Sequence, residues 1–342
     1  MKKKNITFHE ALKALSSSTA PVPRTLRGLT SLDANQLTEF EAVWQTLGPN
    51  RRAAIVEKLG DLIDTDFELD FNPIFRFTLT DVEESVRLAS VEGLWEDESY
   101  NLIDAFVVLL RSDPSAVVRA ATATALGRFM YLGEIERITH HRRDQVYSAL
   151  MGALITEPAA SIVYDRALES ISFTSNEQIQ QFIHDAFLSD DPGLRVAAVV
   201  AMGRSGDAKY AQPVARQLNN VLPIMRAEAA RACGELAVHD AVPALGKLLD
   251  DSESDVILAA IDALAEIGGD DAKKILEQAS ESEDEEIAEA AKEALEDFDF
   301  MHGDIKFATE WFDDLVQFGH AEGDADNTPG DGNSEQRTDA TD

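Results

Sequence analysis

Residues 194 to 296 repeat themselves every 31 positions, and a period of that length restricts the chain to stacked supersecondary units. The stretch from Leu194 to Gly203 aligns with Met225 to Gly234, Val256 to Ala265 and Ile287 to Glu296. One such unit cannot bury its own apolar face, so each must lean on its neighbours. The product is an extended surface rather than a closed pocket, which favours binding over catalysis.

The phrase continues upstream at less regular steps. Val163 lies 31 before Leu194, Val118 lies 45 before Val163, Val86 lies 32 before Val118 and Arg51 lies 35 before Val86, which makes eight copies. Eight residues after each start stands Leu59, Leu94, Leu126, Ile171, Met202, Cys233, Leu264 or Leu295, with a small residue just before it in seven of the eight. Offsets 0, 4, 7 and 8 share one face of an α-helix. Small residues on that face let a neighbouring helix approach, and the larger ones fill the groove. A second amphipathic run precedes the phrase, as in Leu102 to Leu110, Ile179 to Ile183 and Val242 to Leu249. Between the two runs stand Ser112 to Pro114, Asp190 to Pro192 and Asp250 to Ser252, which supply helix N-caps and first-turn prolines. Each unit therefore reads as two antiparallel helices. The expected fold is all-α, an α-solenoid of eight helical hairpins.

The stretch Asp113 to Gly127 resembles a HEAT repeat of the short bacterial type that is grouped with phycobilisome-lyase repeats. Asp191 to Gly203 and Met225 to Gly234 follow the same pattern. The block with Phe67 to Asn72 and Glu92 to Asp97 is similar to uncharacterised bacterial HEAT proteins. The resemblance spans residues 34–298 and implies a HEAT-like solenoid without implying an activity. In that family an Asp before the phrase and an Arg just after its start form a ladder between repeats. Arg52, Arg87, Arg119, Arg195 and Arg226 hold the Arg position here, and Asp81, Asp113 and Asp191 precede three of the phrases. The alternative is an Arg stripe facing a partner, so Arg87, Arg119, Arg195 and Arg226 are candidate protein-binding residues.

The net charge of −33 is concentrated at one end: residues 250–342 carry 30 acidic and 5 basic residues, a net of −25. Such an end repels nucleic acid and anionic lipid and suits a basic protein partner. The single cysteine, Cys233, falls in the large apolar slot of its copy, which marks a core residue and excludes a disulfide framework. His9, Glu10 and Lys13 interrupt the N-terminal apolar run, so no signal peptide is expected, and no stretch is long enough to cross a membrane. The expectation is a cytoplasmic monomer.

Two segments depart from the repeat. The step of 45 places extra residues at 129–143, where His140, His141, Arg142 and Arg143 form the densest basic group of the chain. They extend a loop or a helix, or they serve recognition. Residues 299–320 follow the last copy, and Trp311 and Phe312 lie on the apolar side of an amphipathic stretch there. That stretch caps the last repeat or docks on another protein. Residues 321–342 have almost no apolar content and should be disordered. Their Asp324, Asp326, Thr328 and Glu335 mimic an EF-hand spacing, but Pro329 replaces the required glycine. Residues 1–33 read as an N-terminal helix and linker.

No catalytic, metal or cofactor set is expected. The seven histidines form no His-Glu-x-x-His pair, and there is no Gly-x-Ser-x-Gly elbow, Walker loop or dinucleotide fingerprint. HEAT-like di-iron hydroxylases carry repeated His-Glu pairs, whereas this chain has only His9-Glu10, outside the repeats. The expectation is a non-catalytic protein-binding scaffold that holds its partner along the concave face. The alternative is an accessory subunit of a bilin-lyase-like or other modifying enzyme.

Overall fold

A computed structural model describes residues 6–17, 22–159 and 161–302. Two short helices, α1 (Phe8–Leu15) and α2 (Pro23–Leu26), lead into eight hairpins. Their helices are α3 and α4 (Ala34–Trp44, Pro49–Thr65), α5 and α6 (Asn72–Thr78, Glu84–Gly93), α7 and α8 (Tyr100–Ser112, Ala116–Glu134), and α9 and α10 (His140–Thr156, Ile162–Ile171). Then come α11 and α12 (Glu177–Phe187, Pro192–Arg204), α13 and α14 (Ala211–Gln217, Pro223–Glu235), α15 and α16 (Val242–Leu248, Ser254–Ile267), and α17 and α18 (Asp270–Ala279, Glu285–His302). No strand occurs among the described residues. Trp311, Phe312 and the acidic tail lie outside them.

The helix starts follow from local chemistry. Asp33, Ser115, Thr139, Ser161, Asn176 and Asp191 each accept a backbone N–H of the following first turn. Pro49, Pro192 and Pro223 occupy first-turn positions, where their missing N–H is not needed. All eight phrase starts fall on the second helix of a hairpin. Val86, Val118, Val163 and Val256 are completely buried there, and Leu126, Leu264 and Cys233 are buried eight residues on. The first copy begins with Arg51 instead, which donates to the carbonyls of Ala14 and Leu15 and so holds the end of α1.

Every second helix from α4 to α18 packs against the second helices of its neighbours, whereas neighbouring first helices meet closely only at α3–α5, α7–α9 and α15–α17. The second helices therefore form the tighter inner layer, and their outward residues line its face. Where the phrase ends in glycine between α12, α14 and α16, the reason is steric. A side chain on Gly203 would strike the backbone and Cβ of Ala232 and the Glu235 carboxylate, and one on Gly234 would strike Glu266. The extra residues at 129–143 are absorbed by helix. Phe129, Met130 and Leu132 continue the buried stripe of α8, a short turn follows, and Thr139 caps α9.

Candidate functional site

The arginines just after each phrase start lie at the turn edge of the stack. Arg87 holds Asp113 of the next hairpin through two hydrogen bonds of 2.7 and 2.9 Å and donates to the Asp81 carbonyl of its own. Burial alone would raise the Asp113 carboxyl, yet the Arg87 hydrogen bond holds it below the usual carboxylate range. Arg119 reaches Glu157 and the Asp113 carbonyl, and Arg226 reaches Asp251 and the Asn220 carbonyl. Arg52 pairs with Asp81 at 3.1 Å, while Arg195 donates to the Ser189 carbonyl within its own hairpin. Arg87, at 7 % exposure, is a structural latch rather than a docking group.

The basic cluster is spread along the start of α9. His140 and His141 are exposed. Arg142 donates to Asp104 and Gln145, and the Arg143 stem covers Gly133.

The inner face itself is lined by other residues. Positions one before and six and ten after each phrase start point away from the buried stripe. On α10 and in the turn after it they are Ile162, Glu169 and Phe173, and on α12 Gly193, Val200 and Arg204. On α14 and α16 they are Ile224, Arg231 and Glu235, then Asp255, Asp262 and Glu266. The face thus passes from mixed apolar and cationic to acidic, and α18 continues it with Glu286, Glu293 and Asp297. Sequence reasoning missed these residues because it followed what the copies share. The signal was in the positions at which otherwise matching copies differ in chemistry.

Over the junction of α10, α12 and α14 the face sinks into a groove of about 560 Å³. Ile162, Val196, Val200, Leu222 and Ile224 supply apolar lining, and Asp165, Arg166, Glu169, Arg204 and Glu228 supply charge. Glu169 is only 4 % exposed. It accepts from Arg166 at 2.7 Å and lies 3.9 Å from Arg204, whose guanidinium also covers the Phe173 ring at 5.5 Å. Burial outweighs both guanidiniums and raises the Glu169 carboxyl. Asp165 is pushed up to about 6, first by burial and then by Glu169 and Asp191. Its Oδ1 is buried and has no hydrogen-bond partner.

Beyond the groove the acids crowd one another. Loss of water and the nearby Asp262 raise Glu266, and loss of water together with Asp297 raises Asp262 against the pull of Arg231. Glu235 is exposed as a residue, yet burial of its carboxyl, which lies against Gly203, pushes it up to about 7 against the pull of Arg204, with Glu266 and Glu228 adding to the rise.

The His9-Glu10 pair was tested as a metal donor set. The Glu10 carboxylate accepts from the N–H and hydroxyl of Thr7 in a capping box, and His9 Nε2 lies 3.7 Å from Glu39. Among the described residues no three His, Cys, Asp or Glu gather as a metal-holding group. These residues do not fit a di-iron centre. Among the described residues, no helix is long and apolar enough to cross a membrane.

The repeats match known families. A model of HEAT repeats matches residues 218–296, and a model of the single HEAT repeat matches residues 102–132. The chain is 24% identical over 243 residues to the deoxyhypusine hydroxylase of Arabidopsis thaliana, covering 70% of this chain and 68% of that protein. Among solved structures it is similar to the complex of CpcE and CpcF of phycocyanin lyase from Nostoc, at 17% identity and a TM-score of 0.47, over 66% of this chain and 86% of that one. It is also similar to yeast importin-beta, at 14% identity and a TM-score of 0.46, over 92% of this chain and 49% of that one. The plant relative runs against the expectation of a non-catalytic chain and points toward an enzyme-related family. The phrases common to the copies encode packing, so missing catalytic motifs said nothing about that kinship.

Proposed function

We infer that this HEAT-repeat protein is a helical-repeat scaffold whose inner face holds a basic segment of a partner protein. The observation that carries the reading is the row Glu235, Asp262 and Glu266, exposed residues whose carboxyls are all raised by partial loss of water and by neighbouring acids. Carboxylates crowded in this way gain most from an incoming cation. Val200 and Arg204 precede them, so the face has a polarity that orients a bound segment. The arginines of the turn edge take no part, since their hydrogen bonds lie within the stack.

The test is cross-linking in lysate to identify the partner, then titration of that partner against the parent and the double variant Asp262→Asn, Glu266→Gln. The reading expects about tenfold weaker binding for the variant at low salt and a smaller gap at high salt. Equal affinity for both proteins at low salt would remove it.

The kinship with a hydroxylase supports a second reading, in which the scaffold presents its partner to a modifying enzyme or belongs to one. Mass spectrometry of the captured partner separates the two. A modification that is lost when this chain is deleted favours the second.

A further inference from the structure

We propose that the groove over α10, α12 and α14 receives a lysine side chain of the bound segment, with Asp165 taking the ammonium group and Ile162 and Ile224 flanking the aliphatic stem. The proposal rests on the reading that a basic segment lies along the inner face, and it names the pocket that gives that segment its register. The groove is about 560 Å³ and opens beside the acidic row. Ile162 and Ile224 are 47 % and 54 % exposed, although they stand at matching positions of an otherwise well-packed array. Exposed isoleucines at the mouth of a groove suit a methylene chain rather than a small polar ligand.

The charged lining selects the head group. Glu169 is already engaged by Arg166 and lies near Arg204, and Glu228 accepts from Arg231 at 2.7 Å. Asp165 Oδ1 is left without a donor. That oxygen is buried, and a compact ammonium on a flexible stem needs less room to reach it than the planar fork of a guanidinium.

The same charges decide against other occupants. The segment 303–342 of this chain holds 11 acidic and 2 basic residues, so the acidic row repels it. A second copy brings a net charge of −33, and phosphate-bearing ligands meet the same repulsion.

The experiment uses the full-length protein and fluorescein-labelled Gly/Ser peptides of equal length and charge, one carrying lysines and the other arginines. The parent should bind the lysine peptide about fivefold more tightly, the net worth of one ordinary hydrogen bond. Asp165→Asn should abolish that preference, and Ile224→Ser should reduce it. Because Ile224 is largely exposed, Ile224→Ser keeps the test informative should Asp165→Asn fold poorly. Glu266→Gln should weaken both peptides and leave their ratio unchanged. Equal binding of the two peptides by the parent, or a preference that survives Asp165→Asn, overturns the pocket while leaving the scaffold reading intact. Failure of the parent to bind either peptide overturns the scaffold reading and the pocket with it.

Discussion

At the scale of single residues, two buried charges behave in opposite ways. Asp113 is matched by Arg87 through two hydrogen bonds, so its burial is compensated. Arg87→Met should lower stability by about 3 kcal/mol in urea unfolding, because it leaves Asp113 buried without its counter-ion. Arg119→Met breaks a more exposed pair with Glu157 and should cost about 1 kcal/mol. Asp165 has no such match, and its folded carboxyl titrates near 6 rather than near its ordinary 3.8. A carboxyl raised on folding binds protons more tightly in the folded state. Its contribution to stability is therefore complete below pH 4 and lost as pH rises through 6. Asp165→Asn should flatten the decline in melting temperature across that window, and stability near pH 7 should rise by an amount on the order of 2 kcal/mol. An unchanged slope would show that Asp165 titrates normally.

At the scale of helices, glycine marks two different situations. Gly152 in α9 has open space where a Cβ would stand, so Gly152→Ala should stabilise by about 0.5–1 kcal/mol through helix propensity alone. Gly203 in α12 is pressed against Ala232 of α14, so Gly203→Ala should reverse the sign and destabilise by about 1–3 kcal/mol. Thermal melts of the two variants check this contrast. The small residue before the large apolar one, Ala201 in α12, was legible in the sequence, whereas Gly203 was not, since Trp95 and Glu296 stand at its place in other copies. The helix starts were legible in part: Asp191 caps α12 as its place before Pro192 foretold, but α8 is capped by Ser115 rather than by Ser112 or Asp113, and α16 begins after Glu253 without a side-chain cap. The inner-face residues were not. Glu169 and Arg204 share no repeat-wide type, so periodicity gives them no weight. The helical fate of Phe129 to Leu132 was equally hidden, since a break in period looks the same whether the extra chain coils or extends a helix.

For the whole molecule, the uneven charge sets the response to salt. The hairpins from Asp250 to His302 carry 19 acidic and 3 basic residues, and their carboxylates repel across distances comparable to a Debye length of about 8 Å at physiological salt. Raising salt from very low to physiological levels should raise the melting temperature by a few degrees, about 1 kcal/mol in stability, with hydrogen exchange slowing most in α16 to α18. Unaltered exchange there would mean that the acids are already far enough apart.

The Arg–acid latches described above are not continuous. They join the first four hairpins through Arg52, Arg87 and Arg119, and the sixth to the seventh through Arg226. From α10 to α12 Tyr164 stands in the latch position, and from α12 to α14 Arg195 turns back to Ser189 in its own hairpin. Those two unlatched junctions lie directly beneath the groove. Ile257 leaves the junction of the seventh and eighth hairpins without a latch as well, so mechanically the array is a rod with two adjoining compliant joints in the middle and a third near its end, like a clasp whose hinge sits under its jaw. The width of the groove is then a dimension that changes at little cost, so guests of different girth can be gripped with little deformation of the four latched hairpins that precede it.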